Sequence, residues 1–119
     1  MKKPAIDLAR SAASRLHAMI EDLGPRGDIG PLRFADDHSA IEKEIGICTE
    51  SLSGLPLDLY KCSSELRSAA QFYAAYHNRR ALNKEYDEDV VGCYKDTCRT
   101  HLRLCRALLQ KCIDDKLFG

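Results

Sequence analysis

The sequence predicts an all-α protein: a four-helix bundle of antiparallel helical hairpins with coiled-coil-like seams. Three observations carry that expectation. Four segments place apolar residues at alternating three- and four-residue steps, which sets them on one face of a helix. Glycine and proline cluster between the segments, at Gly24 to Pro31 and at Gly54 and Pro56. No stretch alternates apolar and polar residues with period two for long enough to suggest a strand.

The first helix is expected over about 4–23, with the seam Ile6, Ala9, Ala13, Leu16, Ile20 and Leu23. Pro4 suits a first helical position, and Asp7 lies near the positive end of the helix dipole. Gly24 to Pro31 holds three glycines and two prolines and cannot continue a helix. The second helix is expected over about 36–53, with the seam His38, Ile41, Ile45, Cys48, Leu52 and Leu55. Asp36 or Asp37 suits its N-cap, and Ser39 with Glu42 is a competing capping box.

Gly54 and Pro56 separate the second helix from the third, expected over about 56–82. The third carries Leu59, Cys62, Leu66, Ala69, Tyr73 and Tyr76. A turn from Asn83 to Tyr86 leads to the fourth helix, expected over about 87–117. Asp87 caps it, Tyr86 and Val91 make a hydrophobic staple, and Asp87, Glu88 and Asp89 load its first turn with negative charge. Its seam is Val91, Tyr94, Cys98, His101, Cys105, Leu108 and Cys112. Short second and third connections imply antiparallel neighbours. Gly46 and Gly92 fall inside helical patterns, where each costs about 1 kcal/mol relative to alanine. A close approach of two helices is the expected reason.

At 119 residues the chain fits a single helical domain, 1–119, with a core that needs no covalent staples. Lys plus Arg and Asp plus Glu number 18 each, so global charge selects neither nucleic acid nor an anionic membrane. No segment approaches the ~20 apolar residues of a membrane span. No secretory leader is evident, so a cytoplasmic setting and reduced thiols are expected. The even cysteine count leaves a disulfide framework as the alternative for an oxidising compartment.

The six cysteines are the chemically distinctive feature: Cys48, Cys62, Cys93, Cys98, Cys105 and Cys112. Cys98, Cys105 and Cys112 recur every seven residues, which draws a line along a helix. Cys98 and Cys105 stand ~10.5 Å apart along such an axis. One zinc ion needs its sulfurs ~2.3 Å away, so both cannot reach it from a straight helix. The expectation is therefore small core side chains, with no metal and no cofactor. A metal or redox site built on Cys98, His101 and Cys105 is the alternative reading. Cys48 and Cys62 lie symmetrically about the Gly54 turn and are expected to face each other. No Glu-x-x-His repeat, haem motif, phosphate loop or nucleophile-base-oxyanion set is present, so no enzyme and no catalytic residue are expected.

Charge is the second distinctive feature. Lys95, Arg99, Arg103 and Arg106 step by four, four and three, a basic stripe along the fourth helix. Asp36, Asp37, Glu42, Glu44, Glu50 and Asp58 make the second segment acidic. Leu102, Leu104, Leu109, Ile113 and Phe118 lie off the fourth seam and widen its apolar face, which must be covered by something. Together these imply a small interaction module, a regulatory adaptor or an inhibitor that binds a protein partner and forms a homodimer. Its expected partner-binding residues are Lys95, Arg99, Arg103, Arg106, Leu109 and Ile113. Nucleic acid is not expected, because aromatic interleaving and a helix-turn-helix pattern are missing.

Overall fold

The computed structural model describes residues 4–23, 38–55, 59–82 and 88–118, with side chains described in 4–23, 42–55, 59–76 and 92–118. Four helices fill these segments: α1 (Ala5–Leu23), α2 (His38–Ser53), α3 (Tyr60–Leu82) and α4 (Glu88–Asp114). Among the described residues there is no strand. The all-α four-helix architecture expected from the periodicity is the one observed.

Each helix packs on its neighbour in the chain, and α4 returns against α1 to close the ring. The register shows the directions. Arg15 of α1 meets Glu44 of α2, while Ala12 meets Cys48, so α1 and α2 run antiparallel. Glu65 of α3 meets His101 of α4, while Cys62 meets Cys105, so these two are antiparallel as well. The result is an elongated body of 51 × 25 × 20 Å, with α4 the longest helix at 27 residues.

Local chemistry explains the ends that are described. The carbonyl of Pro4 accepts hydrogen bonds from the Asp7 and Leu8 amides, so Pro4 stands just before the first helical residue. α2 begins at His38, which puts Ser39 within the helix and not at its cap. The loop from Gly24 and the caps proposed at Asp36, Asp37 and Asp87 lie outside the described residues, as does the Tyr86–Val91 staple. α4 ends three residues earlier than expected, in a Schellman turn. The Lys116 amide bonds Ile113 O at 3.0 Å and the Leu117 amide bonds Cys112 O at 3.1 Å. Lys116 takes the left-handed conformation, φ 58°, that such a turn requires. The turn brings Phe118 back onto the core.

The core follows the seams of the first three helices closely. Ala9, Ala13, Leu16, Ile20 and Leu23 are buried, with Ala12 and Met19 added beside them. Ile45, Cys48, Leu52 and Leu55 are buried from α2, and Cys62, Leu66, Ala69, Tyr73 and Tyr76 from α3. The side chains of His38 and Ile41 lie outside the described set.

α4 departs from expectation. Its buried side chains are Lys95, Cys98, Leu102, Cys105 and Leu109, while Tyr94, His101 and Leu108 are only half-buried. The helix is thus turned, relative to the expected seam, toward the row Lys95, Leu102, Leu109. Two rows spaced by seven flank Cys98 and Cys105, and the more apolar row wins the interior because leucine burial is worth about 1.5–3 kcal/mol per side chain. The supposed surplus apolar face is mostly used within the chain. Leu102, Leu109 and Phe118 are buried, Ile113 packs against the core, and Leu104 alone of the five remains 47% exposed.

Gly46 also departs from expectation. It is exposed on α2, and a Cβ built there meets nothing within 4 Å, so no helix approach requires it. Gly92 is buried, in keeping with a packing role.

Candidate functional site

The thiols come first. All six cysteines are free; Cys48, Cys62, Cys98 and Cys105 are buried, Cys112 is half-buried and Cys93 exposed. Burial disfavours a thiolate, which pushes the Cys98 thiol up to about 12. The Cys48 thiol is pushed up to about 11, first by burial and then by Glu44, with Arg15 opposing. Both are inert as nucleophiles near neutrality.

Cys98, His101 and Cys105 do not converge. Cys98 is wholly inside the bundle. His101 turns to α3, where its Nδ1 lies 2.5 Å from Glu65 Oε2 and its ring stacks on Phe72 with centroids 5.7 Å apart. Cys105 turns to Cys62. Among the described residues no three His, Cys, Asp or Glu side chains gather as an ion would require.

The expected pairing of Cys48 with Cys62 is replaced by another. The Cys48 thiol points at the carbonyl of Ala12, 4.0 Å away on α1. The Cys62 thiol donates to the backbone carbonyl of Cys105, 3.8 Å away on α4, which sets the two side chains opposite one another. The neighbouring Cys105 side chain lowers Cys62, while burial opposes the shift. Cys105 is raised, by the neighbouring Cys62 side chain and by burial. Glu65 stands three residues beyond Cys62 and His101 four before Cys105, so the two pairs occupy successive turns of the α3/α4 seam.

Glu65 was not among the residues singled out from sequence. The signal was present, since Glu65 and His101 lie symmetrically about residue 83, and Cys62 and Cys105 nearly so. A hairpin centred there pairs them, as symmetry about Gly54 suggested for Cys48 and Cys62.

The basic stripe divides across the boundary of the core. Lys95 is fully buried, Arg106 and Arg99 are half-buried, and Arg103 is exposed. The order follows from helix geometry. At ~100° per residue, Lys95 and Arg103 lie about 80° apart around α4, with Arg106 and Arg99 between them. Of the six expected partner-binding residues, Lys95 and Leu109 are interior, and Ile113 packs mainly on the core. Arg99 spans to α1, where its Nε donates to Ile20 O at 3.4 Å. That carbonyl belongs to the last turn of α1, so the guanidinium sits at a negative helix end.

The exposed part of the stripe borders an open groove of about 890 Å³ between α1 and α4. His17, Ile20 and Glu21 form one wall, and Arg99, Arg103, Leu104, Arg106, Ala107 and Lys111 stand along the other. Two of its three carboxylates are already engaged: Glu21 lies 3.9 Å from His17, and Asp114 accepts from Gln110 at 3.0 Å. The Arg106 Nε is enclosed, and among the described residues no hydrogen-bond partner reaches it. The groove is therefore lined by both guanidinium groups and an exposed leucine.

On the opposite side of α1 an ion pair joins it to α2: Arg15 Nη1 donates to both Glu44 oxygens, at 2.9 and 2.8 Å. Glu44 raises Arg15 by that hydrogen bond and by its charge. This pair removes Glu44 from the acidic surface of α2 and leaves Glu42 and Glu50 exposed there.

No family model, curated protein or solved structure matches this chain. The functional reading therefore rests on the geometry alone. Among the described residues no helix is long and apolar enough to cross a membrane.

Proposed function

We propose that this chain is a non-enzymatic interaction module, a regulatory adaptor or inhibitor that binds a partner protein in the groove between α1 and α4. The observation that carries the reading is the setting of Leu104, 47% exposed in an open groove that Arg99, Arg103 and Arg106 also line, while most of the thiols are enclosed. Guanidinium groups hold carboxylates in a fixed fork, and a central apolar anchor with a charged rim is the usual anatomy of a recognition surface. The occupant this chemistry fits is a protein segment that presents carboxylates around an apolar side chain.

A second copy of the chain is the other occupant to be tested, since Glu50 on α2 supplies an exposed carboxylate. Groove to α2 is a heterologous contact, which closes into a dimer only if it is made reciprocally. Light scattering across concentration separates the two occupants.

The deciding experiment is affinity capture from the source cell with the native chain and with an Arg103→Glu, Leu104→Asp variant. Both changes lie at the surface, so the folded signal should persist. Loss of a stoichiometric partner with the variant supports the reading. Equal capture by both chains, or a monomer that retains nothing, overturns it.

A further inference from the structure

A pair of thiols away from the groove carries a second kind of chemistry. We infer that Cys62 and Cys105 form a site of reversible oxidation, closing a disulfide that clips α3 to α4 when the protein meets a hydroperoxide. The two residues stand opposite one another on adjacent antiparallel helices, with the Cys62 sulfur 3.8 Å from the backbone carbonyl oxygen of Cys105. α3 and α4 form the most extensive helix pair of the fold, so the two sulfurs are held together and not merely brought together by chance. A disulfide needs a sulfur separation of ~2.0 Å and Cβ atoms roughly 3.5–4.5 Å apart, which facing side chains of packed helices approach by small rotations.

The pair is also chemically unequal, which gives the reaction an order. The neighbouring Cys105 side chain holds Cys62 below the ordinary thiol value, so Cys62 is the one that becomes a thiolate and attacks once the seam opens. Its sulfur takes one oxygen of the hydroperoxide as the O–O bond breaks. The alkoxide leaves with the thiol proton as an alcohol, and Cys62 becomes a sulfenic acid. The Cys105 sulfur then attacks that sulfur, the S–O bond breaks, and water leaves with the Cys105 proton. The thiols lose two electrons and two protons in total. The peroxide gains them and appears as one alcohol and one water. A small-molecule thiol reverses the step by exchange.

Both sulfurs are buried, Cys62 at 1% exposure and Cys105 at 0%, so the reagent must be small and the reaction must follow a local opening of the seam. Cys93, exposed near the start of α4, is the competing thiol, and its products are bridges between molecules. The other buried thiols have no such partner geometry: Cys48 addresses a backbone carbonyl, and Cys98 is enclosed in the core.

The test uses the full native chain and a Cys93→Ser variant, both treated with hydrogen peroxide, then unfolded in an alkylating reagent and mapped by peptide mass spectrometry. The expected result is the loss of two of the alkylatable thiols, a mass lower by two hydrogens, and one linked peptide joining Cys62 to Cys105. The linkage must vanish on treatment with dithiothreitol. Full alkylation of both residues after the peroxide is consumed overturns the inference. So does a bridge that joins any other pair in the Cys93→Ser variant, or sulfinic acid at Cys62 without a bridge. Partner capture plays no part in this readout, so it stands or falls apart from the groove.

Discussion

Two leucines placed two residues apart on α4 provide the sharpest test of how that helix is seated. Leu102 and Leu104 point about 200° apart around the axis. Leu102 is fully buried, and Leu104 is 47% exposed at the rim of the groove. Truncation to alanine removes the same atoms at both sites, so any difference reports environment alone. At Leu102 the lost transfer energy adds to a cavity that the packed α1 and α3 cannot collapse. Buried leucines of this kind cost about 2.7–5 kcal/mol. At Leu104 about half of the side chain already meets water, so the cost should stay below about 1 kcal/mol. A domain of 119 residues unfolds with an entropy of roughly 0.25 kcal/mol per kelvin, so Leu102→Ala should lower the melting temperature by about 11–20 °C. Leu104→Ala should lower it by no more than about 4 °C. Urea titration followed by circular dichroism measures both, with an unchanged m-value as the sign that the folded state is intact. Equal costs, or a larger cost at Leu104, would refute the observed rotation of α4. Repeating the titration at two protein concentrations adds a second discrimination. If the Leu104→Ala effect grows with concentration, a second copy covers that leucine in solution.

Three further outcomes follow from single positions. Gly46→Ala should stabilise α2 by about 0.5–1 kcal/mol, since the added methyl meets nothing and alanine loses less backbone entropy; a drop in the urea midpoint would contradict that. Lys116→Gly should stabilise by several tenths of a kcal/mol, because lysine at φ 58° carries a left-handed cost of about 1–2 kcal/mol that glycine avoids and only partly returns as unfolded-chain entropy. The buried thiols of Cys48 and Cys98 are raised above the ordinary value of 9.0, to about 11 and about 12. Above pH 9 the unfolded chain sheds these protons while the folded chain keeps them, so stability is full below pH 9 and falls as pH rises toward 11. The expected slope is about 1.4 kcal/mol per pH unit for each thiol, and Cys98→Ala should blunt it in urea titrations at pH 8 and pH 10.5.

The sequence made α1, α2 and α3 readable because each carries one dominant apolar row. In α1 the period runs unbroken from Ala9 to Leu23, and every expected residue in that span is buried. α4 was readable as a helix and not as a face, because its apolar residues fall in two rows on either side of Cys98 and Cys105. His101 and Leu108 lie on one row, Leu102 and Leu109 on the other. Periodicity gives both rows the same score. The row with two leucines takes the interior, and Glu65 and Phe72 give His101 a hydrogen-bonded, stacked position beside it. Nothing local to α4 encodes that contact. Lys95 shows the same limit from the other direction. A lysine in a basic stripe is expected in water, yet the rotation that buries Leu102 carries the residue seven positions before it inside too.

The candidate site was legible in its residue types and not in its membership. Arg99, Arg103 and Arg106 do border a groove, but the groove exists only because α1 lies alongside, which no spacing within α4 can express. The same helix thus writes two surfaces with one period. Its inner arc carries sulfur and leucine, and its outer arc carries guanidinium groups, with Arg106 and Arg99 at the join. This arrangement separates two kinds of recognition. Charge and shape operate at the outer arc, where water screens weak pairs and a partner must supply several carboxylates at once. Thiol chemistry operates inside, where an attacking group must first open the α3/α4 seam. Because α4 belongs to both, a covalent clip at Cys105 would restrain the helix that forms one wall of the groove. The two sites are then coupled only if the groove requires α4 to move. Measuring partner affinity with the Cys62–Cys105 bridge closed and then reduced decides it. An unchanged affinity would make the groove a rigid platform, and a shifted one would make α4 the element both sites bias.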